Sequence, residues 1–108
     1  MTLLKDRRDT FEKRFVHEQE LRFKSIARRN RLLGLWAAER LGKLGPDAEA
    51  YARSVVISDL DESGDADVIQ KVTTDLAAIG VKDAEDEVRK ALERLMTIAI
   101  KEIQSDSQ

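Results

Sequence analysis

Apolar residues recur at helical spacing through most of the chain, and the longest such segment is LRFKSIARRNRLLGLWAAERLG, residues 21 to 42. At about 100° per residue, Phe23, Ile26, Ala27, Asn30, Leu33, Gly34, Ala37 and Leu41 share one face, which predicts an amphipathic helix with that face in the core. Leu32, Leu35 and Trp36 point the other way, so the second half of this helix is apolar nearly all round and needs two packing partners. Gly34 inside such a helix costs about 1 kcal/mol relative to alanine, a penalty that a close backbone crossing at that point would explain. Trp36 is expected in the core, and Leu32, flanked by Arg28, Arg29 and Arg31, at a partly exposed edge.

Gly42 ends this helix, and Pro46 suits the first turn of a second, where Asp47 and Glu49 complement the helix dipole. Its inner stripe is Ala48, Tyr51, Ala52, Val55, Val56 and Leu60; the run Val55-Val56-Ile57 also suits a strand, but the spacing and the short loop favour helix. Asp65 is placed to cap a third helix with Val68, Ile69, Val72, Leu76 and Ile79 on its apolar face, ended by Gly80. Asp83 is placed to cap a fourth, whose stripe of Val88, Ala91, Leu92, Leu95, Met96, Ala99 and Ile103 is the cleanest in the chain. The pattern predicts an all-α, four-helix, antiparallel bundle-like domain over residues 20–108, with helices at about 20–42, 46–62, 65–79 and 83–104. A flexible basic N-terminal arm, residues 1–19, is expected to precede it.

The length of 108 residues suits one modest core, and the absence of cysteine removes disulfides, thiol nucleophiles and cysteine-based zinc sites. No apolar run approaches the roughly 18 residues of a membrane span. The net charge of −2 conceals a split: residues 1 to 31 carry ten lysines and arginines against five acidic residues, and the remainder nine against sixteen. A basic arm on an acidic body could engage nucleic acid, but the interspersed acids deny it the uniform positive face that phosphates favour, and an acidic protein surface suits it at least as well.

In the arm, Leu4, Arg8, Phe11, Phe15, Glu18 and Arg22 align as a narrow stripe if the segment is helical. A frayed terminus folding its phenylalanines back on the body is one reading. The other is a segment that orders on a partner, because two of the three Phe residues stand in an otherwise charged stretch. His17 is the single histidine, so no imidazole-based metal cluster or nucleophile and base pair can be built, and as a surface residue it needs no special role. Asp59-Leu60-Asp61-Glu62-Ser63-Gly64-Asp65-Ala66-Asp67-Val68-Ile69-Gln70 mimics an EF-hand loop, but Gln70 stands where a bidentate glutamate belongs, and a polar interhelical turn explains the same residues. Catalytic residues, metal ligands and cofactors are therefore expected to be none. Arg28, Arg29 and Arg31 read as a solvated face or, beside exposed Trp36 and Leu32, as a binding hot spot.

The segments ARRN and LLGLWAA, with DRRDTFEKRFVHEQELRFK upstream and AYARSVVISDL and GDADVIQKV downstream, resemble the ζ subunit family of alphaproteobacterial rotary ATP synthases, small inhibitors of ATP hydrolysis. The resemblance covers most of the chain. It implies that the arm, Leu4 to Gln19, enters the catalytic head as a helix between subunits and blocks rotation in the hydrolysis direction while the body docks outside. Carried over, Leu4, Arg7, Arg8, Phe11, Phe15 and His17 would be arm contacts, with Arg28, Arg31 and Leu32 as candidates on the body. It further implies a cytoplasmic protein, not an enzyme, held on the membrane-bound ATP synthase through its catalytic head without entering the membrane. From the residues alone, the alternative is a basic-armed helical module for nucleic acid or another acidic assembly.

Overall fold

The first 33 residues contain neither glycine nor proline and are rich in Arg, Lys, Leu and Glu, so nothing in them interrupts a helix. In the computed structural model, which describes residues 3–60 and 64–106 and the side chains from residue 12 onward within those spans, residues 3–33 lie in one continuous helix. This helix, α1, is Leu3–Arg40, 38 residues, followed by α2 (Pro46–Ile57), α3 (Ala66–Ala78) and α4 (Ala84–Asp106). The all-α, four-helix class is as the pattern predicts. The start of α1 is not: the segment expected to precede the first helix is its N-terminal half. At about 1.5 Å per residue such a helix is roughly 57 Å long, which accounts for a molecule extending 66 × 26 × 20 Å.

Two of the loop glycines end helices in the same way. Gly42 (φ 75°) donates its N–H to the Glu39 carbonyl while Lys43 donates to Ala38, and Gly80 (φ 90°) and Val81 repeat the pattern on Ala77 and Leu76. This is the Schellman arrangement, in which a left-handed residue lets the last carbonyls find donors. Val81 then packs against the core, closing the turn.

The core joins Leu33, Ala37 and Ala38 of α1 to Val55 of α2, Val72 and Leu76 of α3, and Val88 and Leu92 of α4. α1 packs chiefly on α2 and α4, and α3 lies mainly on α4. Leu32 and Trp36 are half-buried against the same cluster, so the all-round apolar part of α1 is served from two sides. The crossing expected at Gly34 is present: a Cβ there would stand 2.6 Å from the Cα of Ala52.

Three residues assigned to the core by period lie outside it. Phe23 is 75% exposed because the body ends before that turn: along α1 the first buried described residue is Ser25. Leu60 is 80% exposed, since α2 stops at Ile57 instead of near residue 62, and Ile79 is 54% exposed at the C-cap of α3.

Between α2 and α3, the Tyr51 hydroxyl donates to Asp75 Oδ2 at 2.7 Å and Lys71 Nζ donates to the same oxygen at 2.9 Å. Burial alone would raise the Asp75 pKa, but the hydrogen bonds from Lys71 and Tyr51 prevail and hold it below its ordinary value of 3.8. Burial first, then the bond to Asp75, pushes the Tyr51 phenol above its ordinary 10.0. The depressed carboxylate contributes stability that is present above pH 3.8 and lost as pH falls through its folded-state value, while the raised phenol contributes stability present below pH 10.0 and lost as pH rises beyond it.

Melting midpoints followed from about pH 3 to pH 11 should therefore fall at both ends. Asp75→Asn should flatten the acid limb and Tyr51→Phe the alkaline limb; unchanged limbs would show that the pair is not coupled to folding. Gly34→Ala should lower stability by about 1 to 3 kcal/mol through overpacking, despite alanine's better helix propensity, as read by denaturant melts. A variant as stable as the parent would show that α1 and α2 part there freely.

Candidate partner-binding site

Leu4, Arg7, Arg8 and Phe11 stand on the first turns of α1; their side chains lie outside the described residues. From Glu12 to Glu20 every side chain of α1 is exposed, including Phe15 at 55%, Val16 at 53% and His17. An apolar ring and a β-branched side chain left in water on a helix that leaves the body are an unpartnered surface.

Of the candidate arginines, Arg28 and Arg31 have partners. Arg28 donates to Glu102 at 2.9 Å and to Asp106 at 3.0 Å, fastening α1 to the end of α4, and these bonds raise its pKa further. Arg31 holds both oxygens of Glu49 at 2.8 and 3.0 Å, fastening α1 to the first turn of α2. Leu32 packs on the core. The candidates thus separate into an outer group, Phe15 and His17 with the turns before them, and an inner group, Arg28, Arg31 and Leu32. Phe15 and Arg28 are about 20 Å apart along the helix, so they do not form one site.

Arg29, expected with its neighbours on a solvated face, is buried at 5% exposure. Its Nε and Nη2 donate to Asn30 Oδ1 at 3.1 and 2.9 Å, and Nη2 also donates to Asp65 Oδ1 at 2.7 Å. Asn30, buried at 1% exposure, donates from Nδ2 to Asp59 Oδ2 at 3.0 Å. Arg29 and Asn30 therefore clamp both described ends of the α2–α3 loop to the middle of α1. This use of Asp65 corrects its expected capping role: it occupies the N-cap position of α3 without a side-chain cap bond, its carboxylate being turned to Arg29. In the EF-hand-like segment Asp59 and Asp65 bind α1 and residues 66–70 belong to α3; Asp61, Glu62 and Ser63 lie outside the described residues. Among the described residues no three His, Asp or Glu side chains converge as metal ligands.

Two features escaped the sequence reading. Phe23 lines a groove of about 640 Å³ with Ala27, Val56 and Ile103 where α1 leaves the body. The available signal was the spacing of Val16, Phe23 and Ala27, seven and four residues apart on one helix face. The second is the Arg40 guanidinium, 4.1 Å from the centroid of the Trp36 ring, a cation–π contact at the edge of the core.

The fold is that of an all-α protein presenting the outer half of a long helix beyond a small helical body, and among the described residues no helix is long and apolar enough to cross a membrane. The chain belongs to the ATPase inhibitor subunit zeta family, whose match spans residues 1–102, and membership carries the role of an ATPase inhibitor subunit. A solved chain, known from a solution NMR structure, is similar at 45% identity and a TM-score of 0.70, covering 80% of this chain and 98% of that one. No curated protein matches.

Arg29→Ala should cost about 1 to 3 kcal/mol by orphaning Asn30 Oδ1, less than a fully buried ion pair would lose because Asp65 can return to water. Amide hydrogen exchange should rise around residues 58–66. Unaltered protection there would show that the clamp does not hold the loop.

Proposed function

We propose that this protein inhibits ATP hydrolysis by a rotary F-type ATP synthase, the N-terminal half of α1 inserting as a helix into the catalytic head and blocking rotation. The observation that carries the reading is that this half leaves the body already helical, with Phe15 and Val16 exposed. A preformed helix with uncovered apolar side chains suits helix-in-groove recognition, in which the binding partner supplies the missing core. The outer contacts are Leu4, Arg7, Arg8, Phe11, Phe15 and His17, and the body stays outside the head. Under this reading the protein works in the cytoplasm, on the membrane-bound ATP synthase, and makes or breaks no bond itself.

The nucleic-acid alternative loses ground on one observation. Arg28, Arg29 and Arg31, three of the ten basic residues that motivated it, are committed to Glu102, Asp106, Asp65 and Glu49. Phosphate neutralisation needs cations that are free to face a backbone.

The test is hydrolysis by isolated catalytic heads with and without the protein, comparing full-length chain with a form beginning near Gln19. The shortened protein should lose the helicity of the removed turns, keep its melting midpoint and lose inhibition. Phe15→Ala should weaken inhibition by about tenfold or more, as loss of an aromatic anchor does, with little change in stability because Phe15 is already exposed. Equal inhibition by short and full-length forms would refute the assignment to the outer half of α1.

A further inference from the structure

α4 ends against its own dipole. Asp106 closes the helix, Glu102 stands one turn earlier and the last turn holds no basic residue, although the carbonyl end of a helix disfavours negative charge. The compensating charge comes from α1. Arg28 donates from Nη1 to Glu102 at 2.9 Å and from Nη2 to Asp106 at 3.0 Å, so one guanidinium bridges two carboxylates four residues apart. Its planar fork fixes direction as well as distance.

The bridge sits at the root of the outer half of α1. Ser25, one turn before Arg28, is the first buried described residue of the helix, and Phe23 and Lys24 before it are exposed. Among the described residues the ion pairs of α1 with the rest of the body begin at Arg28, those of Arg29 and Arg31 lying farther in. Leverage makes the root matter. From Arg28 to Leu3 the helix runs roughly 37 Å, so a tilt of about 10° at the bridge displaces the far end by roughly 6 Å.

We propose that Arg28 is a positioning residue for inhibition: by bridging Glu102 and Asp106 it locks the last turn of α4 to the root of the outer helix and fixes the direction in which that helix is presented. The proposal rests on the inhibitor reading above and makes the end of α4 part of the inhibitory apparatus. A blocking helix held in one direction loses less freedom on entering its partner. Because the Glu102 and Asp106 side chains are 42% and 62% exposed, solvent screens the bridge and its loss should shift inhibition moderately.

The sequence has no cysteine, so pairs of spin labels can be placed on the full chain at Glu20→Cys and Arg94→Cys, and at Arg53→Cys and Arg94→Cys, all exposed positions. Arg28→Gln, and the double variant Glu102→Gln with Asp106→Asn, should each broaden the first distance distribution and leave the second unchanged. Each should raise the concentration for half-inhibition of isolated catalytic heads about twofold to fivefold, with maximal inhibition at saturation unchanged. All three substitutions together should do no more than either set alone, since both remove the same bridge. An unbroadened outer distance, or a broadened one with parent-like half-inhibition, would overturn the positioning role and leave the inhibitor reading standing. Weaker inhibition by Arg28→Gln with parent-like inhibition by the double variant would also overturn it, making Arg28 a direct contact with the head. A parent protein that does not inhibit the heads would overturn both readings.

Discussion

The approach of α1 to α2 at Gly34 sets the geometry from which the rest follows. With Ala52 Cα where a Gly34 side chain would be, the two helices meet backbone to backbone, closer than any larger pair would permit. That closeness brings the turn before Gly34 within reach of everything around it. Arg31 finds Glu49 on α2, Asn30 finds Asp59 beyond the end of α2, and Arg29 finds Asp65 before α3. Arg28 turns the other way to α4. One helical turn of α1 thus holds the first turn of α2, both described ends of the α2–α3 loop and the last turn of α4.

Placing a guanidinium in that centre is unfavourable unless its donors are satisfied, because removing a charge from water costs several kcal/mol. The neighbouring Asn30 meets the requirement from the same helix, accepting from two Arg29 nitrogens, and the Asp65 carboxylate supplies the counter-charge while its side chain stays 39% exposed. The pair is therefore wet on one side, which lowers the desolvation penalty and the Coulombic gain together. Its value to the fold is directional. Apolar contacts would tolerate the α2–α3 loop in many positions, whereas the forked geometry of Arg29 accepts few.

How far the structure was legible in the sequence depended on which physical signal each residue carries. Gly42, Pro46 and Gly80 punctuate the chain through backbone conformation, a local property, and they mark helix ends as read. The stripes of α3 and α4 are likewise local, apart from Ile79, which continues the period one residue past its helix. Gly34 was legible because a glycine inside an apolar helix demands a reason. Phe23 and Leu60 were misplaced because period reveals which face a residue occupies, and not whether the body extends far enough to cover it. Arg29 was misplaced because charge is normally counted as exposure; its partner Asp65 is 36 positions away and no local pattern links them. Of the candidate residues, Phe15 and His17 are exposed on the outer half of α1, but the groove needs α1, α2 and α4 together and leaves only the faint spacing of Val16, Phe23 and Ala27 in the sequence.

The continuity of α1 changes what its outer half can do. An isolated helix of that length is marginal in water, because the first turn fixes several residues for a single hydrogen bond. Here the body has already fixed the turns around Ser25 to Ala38, so the outer turns need only propagate from an existing end, each added residue bringing its own bond. Their helicity is thus anchored at the body and weakest at the far end. A partner that takes this segment as a helix meets one partly ordered in advance, and the entropy lost on binding is smaller by the turns already formed. A break introduced where the helix leaves the body would remove that advantage without touching a single outer side chain.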